Sequence, residues 1–141
     1  MSRWLSAAIA FAMVVGACGL SDRGDRISVA VGGQAWVVLL AGRDGMRDLD
    51  DFDGADGMLF DADQNVDPTS IFFVMDRVRF PLDIAWFTDD GELVGTATMP
   101  VCAAQPCPRH AAPAPFRWAI EAPVGAFDAL APDARLEVSP D

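Results

Sequence analysis

Carboxylates are the side chains of this sequence with the most potential for acid–base chemistry. Nine of the eighteen aspartates fall between residues 44 and 67. Asp83 lies between a leucine and an isoleucine, and burial among such neighbours would favour its protonated form and make it a candidate acid or base. The alternative is a structural carboxylate that accepts backbone N–H bonds, pairing with Arg77 or Arg79. The structural role is favoured.

The densest part of the acidic run, residues 48–54, invites comparison with a calcium-binding loop. An EF-hand loop needs oxygen ligands at positions 1, 3 and 5, Gly at 6 and Glu at 12. Placing Gly54 at position 6 puts Leu49 at position 1 and Phe60 at position 12, so the pattern fails at both ends. A solvated acidic loop is therefore favoured. Four aspartates remain candidates for an irregular metal site: Asp50, Asp51, Asp53 and Asp56.

Cys18 follows a short apolar run and the small residues 15–17, a pattern typical of lipoprotein signals. Arg3 supplies the positive charge that a signal peptide carries near its N-terminus. The uncharged run 4–15 is too short for a membrane span, which needs about 20 residues. Lipidation of Cys18 would anchor the protein to a membrane. Two alternatives stay open: an ordinary signal peptide cut near Ala17, which would leave Cys18 an incidental thiol, and an uncleaved helical anchor.

Cys102 and Cys107 are separated by four residues in a segment rich in alanine and proline. In an oxidising compartment, with Cys18 lipidated, this even pair predicts a structural disulfide. A redox-active pair is the less favoured alternative. A metal site would need more ligands than the single histidine, His110, can add. No cofactor is expected.

Length indicates a single domain, and the composition makes it acidic. The predicted organisation is a signal peptide at 1–17, a lipidated tether at 18–26 and a single β-rich domain at 27–141. Every basic residue is arginine, and the formal net charge is −11. Nucleic acid is not an expected partner, because phosphate binding needs a basic face. The expected location is the cell envelope, outside the cytoplasm, where the lipid on Cys18 would anchor the protein to a membrane.

Alternating apolar residues and turn signals indicate a mainly β fold. Strands are predicted at 27–31, 36–40, 58–60, 71–75, 80–87, 92–98, 116–121 and 135–139, with turns at Gly32-Gly33 and at residues 89–91. Residues 103–115 are expected to form a loop, and residues 41–49 one short helix. Seven or eight short strands suggest a compact β-sandwich or partly closed barrel.

Functional signals favour binding over catalysis. The chain lacks a Gly-x-Ser-x-Gly elbow and a phosphate-binding glycine loop. The leading expectation is a non-catalytic binding or assembly module that uses exposed apolar surface around Met75, Phe80 and Trp86 to meet an envelope protein or small ligand. One alternative is a carboxylate-dependent hydrolase or carbohydrate-active enzyme pairing Asp83 with an aspartate of 48–63; another is a calcium-binding envelope protein. The candidate ligand or structural site comprises Met75, Arg77, Phe80, Asp83 and Trp86.

Two motifs, in this order, resemble the Domain of Unknown Function 192 family, also called uncharacterised protein family 0127. Residues 57–60 read Gly-Met-Leu-Phe, and Met75 precedes by six positions the run Pro-Leu-Asp-Ile at 81–84. Residues 121–125 look like the family's Glu-x-Pro-x-Gly ending. The resemblance covers roughly residues 27–138, and paired cysteines recur in members.

The resemblance implies a fold without a reaction. Members are compact β-sandwich-like domains, often secreted or anchored. The chain departs from the family at residues 76–78, where Asp-Arg-Val replaces Lys-Asn-Thr. The upstream Arg-x-x-Gly-Leu-Met is one residue short, as Arg-Asp-Gly-Met at 43–46. Contacts that depend on those family side chains are therefore not carried over to this chain.

Overall fold

The computed structural model describes residues 24–139 and confirms a mainly β fold. Most predicted strands are observed, with three differences. The strand predicted at 58–60 extends over ten residues, 71–75 shortens to two residues, and the 103–115 loop contains a two-residue strand. The strands are β1 (Arg26–Val31), β2 (Gln34–Leu40), β3 (Gly57–Val66), β4 (Phe73–Val74), β5 (Leu82–Phe87), β6 (Leu93–Met99), β7 (Arg109–His110), β8 (Phe116–Pro123) and β9 (Leu136–Val138).

Seven strands form one sheet in the order β6-β5-β8-β3-β2-β1-β9, and β4 pairs with β7 in a second, two-stranded sheet. The β2–β3 pair is parallel, whereas the other pairs are antiparallel. The large sheet is not closed into a barrel. An isolated bridge between Glu92 and Arg135 joins the β5–β6 turn to the start of β9, so the two ends of the strand order approach each other at one corner.

The prediction of a short helix at 41–49 is wrong, because this segment forms consecutive turns. Gly45 and Asp48 adopt left-handed backbone conformations, with φ of 54° and 59°. A right-handed helix cannot continue through such residues. The segment instead folds back over the large sheet, with Met46 buried beneath it.

Strand β5 lies between β6 and β8 and is buried on both faces of the sheet. Leu82, Ile84 and Trp86 face a core that is covered by residues 41–56 and by the segments around β4 and β7. Ala85 and Phe87 face a second core, which includes Phe127 from the segment after β8. Each face of the sheet therefore has its own set of covering segments, which decide what lies beside any residue of β5 or β8.

The predicted signal peptide at 1–17 and the lipidation site Cys18 lie outside the described residues. Strand β1 begins at Arg26, the last residue of the predicted tether. Within residues 24–139 there is no helix long and apolar enough to span a membrane.

Candidate functional site

Asp83 has the geometry of a structural carboxylate. Its side chain is 6% exposed and lies on the β5 face that also carries Ala85. Oδ1 accepts a hydrogen bond from the Thr98 hydroxyl at 2.6 Å, and Oδ2 accepts one from the Gly125 N–H at 2.8 Å. The backbone acceptor role was predicted. Asp83 thereby holds the turn after β8 against β5.

Arg77 and Arg79, expected as partners of Asp83, bond the acidic loop instead. Arg77 donates to both carboxylate oxygens of Asp48, and its guanidinium lowers the pKa of that carboxyl. Arg79 donates to Asp50 at 2.5 Å. These exposed pairs join the segment before β5 to the loop between β2 and β3.

Met75, Phe80 and Trp86 do not form an exposed apolar surface, so the expectation of a docking surface around them is wrong. Met75 and Trp86 are 1% and 2% exposed, and Phe80 is half-buried against the same core. The reason is tertiary: β5 is an interior strand, and the loops that cross its face cover these side chains. They are part of the fold's interior and offer no docking surface.

The four aspartates proposed as irregular metal ligands have separate roles. Asp50 pairs with Arg79, and Asp53 pairs with Arg26 at 2.9 Å. Asp56 accepts the Val37 N–H at 2.8 Å, and Asp51 accepts the backbone N–H of Asp53 at 2.7 Å. Across residues 24–139, no three acidic, histidine or cysteine side chains are grouped as a metal site.

Cys102 and Cys107 are joined by a disulfide, with Cα atoms 5.4 Å apart. The bond closes the loop between β6 and β7, and Cys102 packs against the core on the β4–β7 side of the sheet. This supports the predicted structural pair. The loop leads directly into the two-stranded sheet that covers this face.

The side chain with the most unusual environment is Glu121, in the middle of β8. It pairs with Met58 of β3 on one side and with Ile84 of β5 on the other. Residues opposite one another on neighbouring strands point to the same face, so Glu121 faces the core formed with Met58 and Ile84. It is 6% exposed, and burial raises the pKa of its carboxyl from 4.5 to about 7. Burial is the sole cause of this shift, and no side chain or backbone group within 24–139 forms a hydrogen bond with the carboxyl.

Glu121 opens onto a cleft of about 220 Å³, hereafter the Glu121 cleft. One wall is the turn 43–47 and the other is the segment 71–74, with Phe60 and Val78 completing it. Phe60 and Phe73 meet edge to face, with ring centroids 5.5 Å apart. The lining residues are Arg43, Asp44, Gly45, Met46, Arg47, Phe60, Ile71, Phe72, Phe73, Val74, Val78 and Glu121.

Two glycines allow close approach, Gly57 between the strands that carry Glu121 and Met58, and Gly45 in the wall of the cleft. A Cβ on Gly57 would lie 2.6 Å from the carbonyl oxygen of Glu121, so only glycine lets β3 lie at this distance from β8. A Cβ on Gly45 would lie 3.3 Å from the Phe60 ring, and its φ of 54° also favours glycine. Both glycines belong to the family-like motifs, which gives those motifs a physical reason.

Sequence reasoning missed Glu121 as a site residue. The signal that singles out Asp83, a carboxylate between apolar neighbours, occurs equally at Glu121 between Ile120 and Ala122. The two carboxylates nevertheless point to opposite faces of the sheet, because successive side chains along a strand alternate between the faces. Asp83 pairs with Ala122, whose side chain belongs to the opposite core, so Asp83 and Glu121 face opposite sides of the sheet. Asp83 therefore cannot share a cleft with aspartates of the loop that covers the Glu121 face.

Two solved structures are similar to this chain. One is described as a candidate transcription regulator from Sinorhizobium meliloti 1021, at 20% identity and TM-score 0.67, with 82% of this chain and 95% of that chain covered. The other is a protein of unknown function from Novosphingobium aromaticivorans DSM 12444, at 20% identity and TM-score 0.65, with 79% and 84% covered. At this identity the likeness concerns the fold. No curated protein matches the sequence.

The family that the motifs resemble also matches as a whole. Its pattern, described as "Uncharacterized ACR", aligns with residues 40–138, from the last residue of β2 to the end of β9. This begins later than the resemblance over 27–138 predicted, because β1 and most of β2 fall outside it. The match covers well over half of the sequence, and the chain belongs to the DUF192 family.

Proposed function

We propose that this protein is a non-catalytic binding module, held outside the cytoplasm by a lipid on Cys18, and that a small ligand occupies the Glu121 cleft. The observation that carries the proposal is the Glu121 carboxyl, which is 6% exposed, lines the cleft and has its pKa raised by burial alone, with no hydrogen bond from a described residue. A largely desolvated carboxyl at a cleft is typical of a binding site.

The geometry does not support the hydrolase alternative that pairs Asp83 with an aspartate of 48–63. A glycosidase-type site needs two carboxyl groups about 5–10 Å apart across one cleft. Here the second buried carboxylate, Asp83, faces the other side of the sheet and is bonded to Thr98 and Gly125. Glu121 can accept or donate a hydrogen bond to a ligand, and Phe60 and Phe73 can pack against an apolar part of it.

The proposed location rests on the sequence around Cys18 and on the disulfide. Small residues precede Cys18 as a lipoprotein signal requires, and β1 begins at Arg26, the last residue of the tether predicted at 18–26. A disulfide between Cys102 and Cys107 fits an oxidising compartment.

Native mass spectrometry of the full-length protein, released gently from its own membranes, tests the ligand. We expect a retained small molecule in the wild type. Ile71→Trp places an indole at the exposed rim of the cleft and should abolish retention, whereas the exposed, remote control Val101→Trp should retain it. The proposal would be contradicted if the wild type retained no small molecule, or if both variants retained it equally. It would also be contradicted if a protein co-purified while the cleft held no small molecule.

Cys18→Ser tests the anchor. The wild type should resist extraction with high salt, partition into detergent and carry the mass of at least two acyl chains, since a single chain gives only marginal anchoring. The variant should lose the lipid mass and the membrane association. Membrane retention by Cys18→Ser would refute the lipid anchor without affecting the ligand proposal.

A further inference from the structure

Arg43 and Arg47 differ from the other arginines of the described chain. Those at 26, 77, 79, 117 and 135 each form an ion pair with a carboxylate, and Arg109 lies over the Phe72 ring at 5.2 Å. Arg43 and Arg47 form no ion pair with any residue in 24–139, yet both line the Glu121 cleft. Arg47 contributes to the lowered pKa of Asp48, but neither guanidinium is held in a direct ion pair within the described residues. In a chain of net charge −11, two such guanidinium groups at one cleft point to a site for an external anion.

Part of the cleft lining is apolar. Phe60 and Phe73 present aromatic surface, and Met46 and Val78 are almost fully buried beside them. A closed apolar cavity of about 150 Å³ accommodates benzene. The cleft's volume of about 220 Å³ is therefore enough for one ring or a short chain that carries a polar group.

Glu121 adds a hydrogen-bond donor to this environment. Because burial raises the pKa of its carboxyl to about 7, the group carries a proton in mildly acidic conditions. A protonated carboxyl donates one O–H bond, and a carboxylate oxygen is a strong acceptor for it. A cationic ligand would instead require ionised Glu121 and would lie close to two guanidinium groups.

We infer that the Glu121 cleft binds a small organic carboxylate, whose anionic group is bound by Arg43 and Arg47 and whose apolar body packs on Phe60 and Phe73. Glu121 donates a hydrogen bond to the ligand. This inference rests on the proposed function of the cleft and names its ligand class. The charged groups that line the cleft beside Glu121 are Arg43, Asp44 and Arg47; the segment 71–74 contributes none.

Binding of such an anion is coupled to the proton on Glu121. The bound carboxylate requires the protonated form, so affinity should fall as the pH rises through about 7. If only the protonated form binds, one group of this pKa gives about a tenfold loss of affinity between pH 6 and pH 8. Glu121→Gln remains neutral and should bind with an affinity that does not change over this range.

The test titrates the full-length protein with benzoate, benzamide, benzylamine and inorganic phosphate, followed by amide chemical shifts of residues 43–47 and 71–74. We expect benzoate to bind at least tenfold more tightly than the other three. The double variant Arg43→Gln/Arg47→Gln should lose at least tenfold in benzoate affinity, while the matched control Arg135→Gln, remote from the cleft, should not change.

Three results would overturn the ligand class. They are equal or tighter binding of benzamide or benzylamine, benzoate binding that survives the double arginine variant, and no binding of benzoate. In each case a small molecule retained in native mass spectrometry would leave the proposed function standing. Absence of both probe binding and a retained molecule would remove the two proposals together.

Discussion

Replacing Glu121 by glutamine should stabilise the protein at alkaline pH and change little at acidic pH. The carboxyl has a folded-state pKa of about 7 against an ordinary value of 4.5, because burial disfavours its charged form. Its contribution to stability is complete below pH 4.5 and is lost as the pH rises through about 7. The difference between these pKa values, at about 1.4 kcal/mol per unit, corresponds to about 3 kcal/mol. Glutamine has nearly the same shape and never ionises, so the variant escapes this loss.

Urea unfolding of wild type and Glu121→Gln at pH 4, 6 and 8 measures the effect. The variant's excess free energy of unfolding should be near zero at pH 4 and about 3 kcal/mol at pH 8, or roughly 10 °C in Tm. Glu137→Gln, an exposed site in β9, is the matched control and should follow the wild type throughout. The reasoning is refuted if the two Glu121 curves stay parallel across this range, or if the variant is less stable at pH 8.

Three further changes test the fold that positions the cleft, each by urea unfolding. Gly57→Ala pushes a Cβ against the Glu121 carbonyl and should destabilise by about 1–3 kcal/mol; a neutral effect would contradict the close approach of β3 and β8. Asp83→Asn removes the charged acceptor of the Gly125 N–H and should cost about 1–3 kcal/mol without reducing ligand retention; a stable variant that no longer retains ligand would instead assign Asp83 to binding. The double variant Cys102→Ser/Cys107→Ser should lose about 2 kcal/mol by loop entropy, and unchanged stability would show that the disulfide has no such role.

Local pattern predicted the strands well and the loops poorly. The alternation in β5 and the hairpins at Gly32-Gly33 and residues 89–91 depend on neighbours in the chain, and they form as expected. The segment 41–49 does not form a helix, because left-handed residues at 45 and 48 let it fold across the sheet. Met75 and Trp86 looked available for binding, but segments distant in sequence cover them.

The sequence by itself determined the family, the strand order along the chain, the disulfide pair and the parity of each strand. Parity fixes which residues of one strand share a face, but it says nothing about which strands become neighbours. Only the tertiary structure placed β8 between β3 and β5, so that Glu121 lies beside Met58 and Ile84 while Asp83 faces the other way. Two carboxylates with the same local pattern thus acquire different chemistry. Asp83 accepts hydrogen bonds from a hydroxyl and a backbone N–H, whereas Glu121 is desolvated at the base of a cleft. The difference arises because segments far away in the chain set the burial and the hydrogen-bond partners of each carboxyl.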